Sequence, residues 1–206
     1  MANLSRGTLL GMILACVAAL VLLVGTGAMI AMKGSRQTGD VATVSIGGPF
    51  VLTSQTGEKV SSDALKGSPF AVFFGFTHCP EVCPTTLWEM SEALKQLGPD
   101  AEKLRVFFIS IDPTRDTPEV MARYLQSFDD RITALTGTEE EIDTVGKAYR
   151  AYWKKIPTDD GDYTMDHTTS IYLMDSEGSF SGTITYQEDP KVQLEKLRRL
   201  IAKGTG

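Results

Sequence analysis

The sequence predicts an α/β fold, a central mixed sheet flanked by helices, preceded by one N-terminal transmembrane helix. Three observations lead there. Leu9 to Met32 runs for 24 residues without a charge. Beyond residue 48, short apolar runs alternate with stretches of helical periodicity, the order of an α/β sheet with a parallel part. Near the C-terminus, Ser170 to Asp175 and Phe180 to Thr185 flank the turn residues Ser176, Glu177 and Gly178, which reads as a hairpin adding an antiparallel edge.

The N-terminal run comes first. As a helix it would measure about 36 Å, against about 30 Å for the hydrocarbon core of a bilayer. A cleaved signal peptide has a shorter apolar region and a small-residue cleavage site; this run is long for one, although it ends in the small-residue stretch Ala28 to Ala31. The chain therefore divides into a short cytoplasmic segment (1–8), an anchor (9–32), a small and polar linker (33–48) and a folded domain (49–206). Cys16 has apolar sequence on both sides, so it reads as a membrane-buried cysteine and not as a lipid-attachment site. Positive charge barely orients the anchor, with Arg6 before it and Lys33 and Arg36 after it. Export of whatever follows a signal-like anchor, and a cysteine pair suited to an oxidising compartment, place the domain in the periplasm of a bacterium, tethered to the inner membrane by a single pass.

Charge narrows the partners. Three of the 20 basic residues and none of the 26 acidic ones precede residue 40, so the remainder carries 17 against 26, a net −9. That argues against nucleic acid, whose binders show a basic face.

Within the domain, Phe70 to Phe76 (FAVFFGF) and Leu104 to Ile111 (LRVFFISI) are continuous apolar runs, as expected of strands buried on both faces. Pro84 to Leu97 carries a helical stripe of Leu87, Met90, Leu94 and Leu97. Thr117 to Phe128 reads as a helix capped by Thr117 with Pro118 in its first turn. Ile132 to Leu135 is a short strand. Thr138 to Trp153 is a helix opened by a Thr138/Glu141 capping box. Pro190 to Lys203 closes the chain as a helix.

The chemistry lies in FTHCPEVCPTT, Phe76 to Thr86. It follows the first buried strand, at the carboxyl end where open α/β sheets place their sites. Pro84 suits the first position of a helix, so Cys83 is expected as the cap residue and Cys79 in the loop before it. Facing unpaired N–H groups and the positive end of the dipole, Cys83 is expected as the thiolate. A dithiol oxidoreductase normally uses C-x-x-C, whereas three residues intervene here. Two thiolates are soft ligands that select Cu(I) or Zn, and either metal wants at least one more ligand. The chain has two histidines. His78 adjoins Cys79 and can point away from the thiols. His167 lies in a loop just before the strand from Ser170; in a thioredoxin-like sheet that loop packs beside the first strand-to-helix turn, over the cysteines. Asp166 is a candidate to orient the His167 ring, and Met165 a reserve ligand or a packing residue.

FGFTHCPEVCPTTL (Phe74 to Leu87), DPTRDTP (Asp112 to Pro118) and DHTTSIYLMD (Asp166 to Asp175), in that order behind a single anchor, resemble the Sco (SenC-type) family of copper chaperones over about residues 45–203. The resemblance implies a thioredoxin-like fold in which Cys79, Cys83 and His167 bind one copper per chain, as Cu(I), with Cu(II) the second state considered. It implies delivery of copper to the dinuclear centre of cytochrome c oxidase subunit II, or reduction of that centre's cysteines. A second periplasmic copper chaperone or a thioredoxin-like reductase is the further partner such work admits. Glu81 stands where many members carry Asp. No catalytic residue is expected of a metallochaperone. The alternatives are a membrane-tethered thiol–disulfide reductase using the redox-active pair Cys79 and Cys83, and a copper or redox sensor acting through partner binding. DPTRDTP reads as a structural segment in which Arg115 holds a loop by pairing with an acid, and second as a partner contact.

Overall fold

The computed structural model describes residues 7, 17–23, 26 and 45–204. It divides into two units, Met1–Val44 and Ser45–Gly206. In the first, residues 17–23 and 26 are helical; the rest of the expected anchor and most of the linker lie outside the described residues. Among the described residues no helix is long and apolar enough to cross a membrane.

The second unit runs β1 (Val51–Ser54), β2 (Lys59–Ser61), β3 (Phe70–Gly75), α1 (Val82–Leu97), β4 (Arg105–Ser110), α2 (Pro118–Leu125), β5 (Ile132–Thr136), α3 (Glu139–Tyr149), β6 (Trp153–Pro157), β7 (Tyr163–His167), β8 (Ile171–Met174), β9 (Phe180–Ile184) and α4 (Pro190–Lys203). Seven strands form one sheet in the order β2-β1-β5-β4-β3-β8-β9, and β6 and β7 form a separate hairpin. The central strands β3, β4 and β5 are parallel. On their flanks β1 joins β5 and β8 joins β3, both antiparallel. This is the mixed sheet that the sequence predicts.

The apolar runs are buried as their composition requires. All six residues of β3 are buried, and so are five of the six in β4. Burial on both faces is why these two strands read as unbroken apolar runs and show no alternation. The helices start where their caps dictate. Thr117 accepts the N–H of Val120 ahead of Pro118. Thr138 accepts the N–H of Glu141 at 3.1 Å while the Glu141 carboxylate accepts the N–H of Thr138 at 2.7 Å, a capping box of the kind in which losing the threonine costs about 1 kcal/mol.

Three boundaries depart from expectation, each for a local reason. The helix expected over Thr138 to Trp153 ends at Tyr149, where Arg150 turns left-handed at φ 55°. Trp153 has the spacing of a helical residue but folds back. Its indole lies against Gly146, where a Cβ would come within 2.0 Å of the ring, so the glycine makes room for the tryptophan. Two hairpins went unexpected, β1–β2 and β6–β7. Both are short, and β6 is largely exposed, so neither carries the apolar alternation that announces a strand. Finally α1 begins at Val82, with Glu81 as its cap residue and Pro84 third in the helix. That position still falls within the first turn, where N–H groups have no intrahelical partner, so the proline ring forfeits no hydrogen bond.

Candidate metal centre

β3 ends at Gly75, and the chain passes through Phe76 to Pro80 before entering α1. Cys83 is the second residue of that helix and is fully buried; it is not the cap. Its sulfur sits against the end of β3 so closely that a Cβ on Gly75 would lie 2.7 Å from it and 2.8 Å from the Phe108 ring. The glycine in FAVFFGF therefore makes a cradle for the thiol. A glycine inside an apolar strand is the sequence signal for such a close approach.

Cys79 takes the place expected of a cap. Its sulfur accepts the N–H of Cys83 at 3.4 Å, one of the free donors of the first helical turn. The ionisation expected of the pair is thereby reversed. A hydrogen bond from the Cys83 thiol, joined by the His167 side chain and by the backbone N–H of Cys83, brings Cys79 down to about 4, and its partial burial opposes this without overcoming it. Burial, followed by the hydrogen bond to Cys79 and its negative charge, pushes Cys83 far up. The thiolate is thus the half-buried outer cysteine, and the protonated thiol is the enclosed one. The helix N-terminus does act as expected, but on the sulfur one turn earlier in the sequence.

His167 is the last residue of β7, the inner end of the unexpected hairpin, and not a loop residue. Its Nε2 lies 3.6 Å from Cys83 Sγ, while Nδ1 lies 2.8 Å from the carbonyl oxygen of Thr168. A carbonyl only accepts, so Nδ1 carries the proton and the Nε2 lone pair faces the sulfurs. Asp166 does not orient the ring: it is exposed on β7 and sits opposite Lys154 across the hairpin, because alternate residues of a strand point to opposite sides. The ring is instead braced by aromatic neighbours, with Phe76 edge-on at 5.7 Å and Phe73 at 6.2 Å between centroids. Met165 is buried and lines a cavity with Ile111, Ile142 and Trp153, so it packs. His78 is half exposed and hydrogen-bonded to the Thr77 hydroxyl at 3.1 Å.

The outcome is one cluster. The sulfurs of Cys79 and Cys83 and a ring nitrogen of His167 lie within 4.8 Å of one another, the one group of three such side chains among the described residues. Two soft sulfurs and an imidazole nitrogen converge on a volume that one ion can occupy.

A family model described as SCO1/SenC matches residues 39–202. The chain belongs to the SCO1/SenC family. Among SCO1/SenC relatives, the mitochondrial SCO1 homolog of Homo sapiens is 44% identical over 141 residues, which are 66% of this chain and 46% of that protein. The chain thus matches about half the length of that relative. ScoI of Bradyrhizobium japonicum, solved with copper bound, is 52% identical with a TM-score of 0.71, covering 75% of this chain and 99% of that one. BsSco, in which a disulfide switch is described, is a member of the Sco family of cytochrome c oxidase assembly proteins; it is 25% identical with a TM-score of 0.62, covering 77% of this chain and 94% of that one.

Proposed function

We propose that this chain is a membrane-anchored, periplasmic copper-binding protein that carries copper to, or prepares, the dinuclear copper centre of cytochrome c oxidase subunit II. Cys79, Cys83 and His167 hold the ion, one per chain. The observation that carries this is the Nε2 lone pair of His167 facing the sulfur pair. The donor set fits copper. Thiolates select Cu(I) and Zn, but a structural zinc site closes with four ligands, and the group here offers three. Three soft donors suit a Cu(I) ion that must also leave. The copper seen in ScoI of B. japonicum and the place of BsSco among oxidase assembly proteins support the same reading. X-ray absorption on the reduced full chain loaded with copper should give one copper bound by two sulfurs and one nitrogen; an all-nitrogen or all-oxygen shell would overturn the assignment.

The periplasmic side follows from the uncharged 24-residue run Leu9 to Met32 and from the thiol pair. A phosphatase fused to the C-terminus should be active, and a reporter that works only in the cytoplasm should be silent there. The opposite pattern would reverse the topology.

A second reading has one observation in its favour. A half-buried, low-pKa Cys79 beside an enclosed Cys83 is the asymmetry of an attacking and a resolving thiol, as a thiol–disulfide reductase acting on the oxidase cysteines would need.

A further inference from the structure

We infer that the segment Asp112–Pro118 is a two-armed brace that sets the separation between the sulfur pair and the histidine. One arm, through Asp116, holds the loop of Cys79; the other, through Arg115, holds the hairpin of His167. This deepens the copper reading above and rests on it.

The first arm starts from a carboxylate with no exposed surface. Such a group is tolerated when its oxygens are hydrogen-bonded. Asp116 accepts the N–H of Thr77 at 3.0 Å, the hydroxyl of Thr77 at 2.6 Å and the hydroxyl of Ser110 at 2.6 Å. Thr77 lies two residues ahead of Cys79, so both its backbone and its side chain are pinned just before the outer thiolate.

The second arm starts from Asp112, which is also enclosed. It accepts Arg115 Nε at 2.5 Å and the hydroxyl of Tyr163 at 2.8 Å. Arg115 then donates Nη1 to the carbonyl of Tyr163 at 2.9 Å and to Asp162 at 3.2 Å. Its guanidinium carbon stands 3.7 Å from the centre of the Tyr163 ring and 6.0 Å from that of Phe76. Tyr163 opens β7 and His167 ends it, so a rigid strand transmits the position of one to the other. This matters because β6 and β7 stand outside the seven-stranded sheet, whose ladder therefore does not register the histidine.

The arms are joined. The Ser110 hydroxyl accepts the N–H of Asp112 at 3.0 Å while donating to Asp116. Arg115 and Tyr163 are positioning residues for His167, and Thr77 and Asp116 for Cys79. A lysine in place of Arg115 keeps the charge but not the planar fork that spans the acid and the strand.

The test uses the full chain, reduced, as wild type, His167→Ala, Arg115→Lys, Tyr163→Phe and Thr77→Val. Tyr163→Phe removes one oxygen and no packing volume, so it reads the brace without unfolding the domain. In metal-free protein, Tyr163→Phe and Arg115→Lys should speed amide exchange across β6 and β7 by about tenfold relative to wild type, with β3 and β4 unchanged, as expected for a local opening. In copper-loaded protein both should lose nitrogen coupling in the Cu(II) electron paramagnetic resonance spectrum toward the His167→Ala pattern, while their Cys79–Cys83 dithiol–disulfide equilibrium stays at the wild-type value. Thr77→Val should do the reverse. It keeps the nitrogen coupling and shifts that equilibrium several-fold toward the disulfide, because the thiolate that the brace holds in the reduced form is destabilised. If the hairpin variants exchange as wild type, or if both sets of variants move both readouts together, the two-armed brace is wrong. If instead wild type itself shows no sulfur and nitrogen ligation, the copper reading fails, and exchange in the metal-free variants still decides the brace.

Discussion

Replacing either Cys79 or Cys83 with serine is expected to abolish stable copper binding, while Cys16→Ser leaves it intact. Each loop cysteine supplies one of three donors, and the described residues offer no other thiolate. A serine hydroxyl is a hard donor that stays protonated near neutral pH, so the loss should exceed the 10–100-fold typical of removing a ligand's outer-shell partner, roughly. The two variants differ in their pH behaviour. Cys79 is ionised down to about 4 and Cys83 is held protonated, so in wild type only Cys83 must give up a proton to the ion across the range between. Copper affinity should then fall by about one logarithmic unit per pH unit as pH drops from 8 to 5, where two ordinary thiols would give about two. Below about 4 the Cys79 thiolate is also lost, and the dependence steepens. In Cys79→Ser the partner that raises Cys83 is gone, so the remaining thiol should titrate lower than in wild type. Equilibrium dialysis with a competing chelator across pH measures all of this. Tight one-to-one copper in either loop variant would move the site elsewhere.

The parts of this site that were legible in the sequence are those set by covalent order. The buried strands announced themselves by unbroken apolar runs, and Pro84 marked the helix start to within two residues. The cysteine pair therefore fell at a strand end, as predicted. What was not legible depends on contacts between distant segments. Nothing near Cys79 or Cys83 says which sulfur receives the helix N–H; that follows from Cys83 lying one residue inside the helix and against Gly75. The hairpin that carries His167 was hidden because Trp153, Lys154 and Lys155 alternate weakly and the strand is exposed. Asp166, adjacent to the histidine, was the natural partner by proximity in sequence, yet strand geometry turns it away and leaves the Thr168 carbonyl to fix the tautomer. The DPTRDTP segment was recognised, and Arg115 does pair with acids, Asp112 and Asp162. Its reach to Tyr163, 48 residues away, has no local signature.

His167→Ala is expected to separate metal binding from thiol chemistry. The ring contributes a lone pair at Nε2, 3.6 Å from Cys83 Sγ, and imidazole cannot carry the electrons of a dithiol. The variant should therefore still form and reduce a Cys79–Cys83 disulfide, the equilibrium shifting only by the hydrogen bond that His167 lends to Cys79. Copper should bind at least about tenfold more weakly, since even a ligand's outer partner is worth that much. The vacated space borders Phe73 and Phe76, so no protein donor from those neighbours can substitute. If the chain supplies copper to the oxidase, cells carrying the variant should assemble cytochrome c oxidase poorly when copper is scarce, and added copper should restore part of the activity by filling the weakened site through mass action. Oxidase activity at low copper in wild type, His167→Ala and Cys79→Ser decides between the two readings. Activity lost in both variants supports copper delivery. A histidine variant that matches wild type while the cysteine variant fails would leave the thiols alone as the working groups and make the chain a reductase.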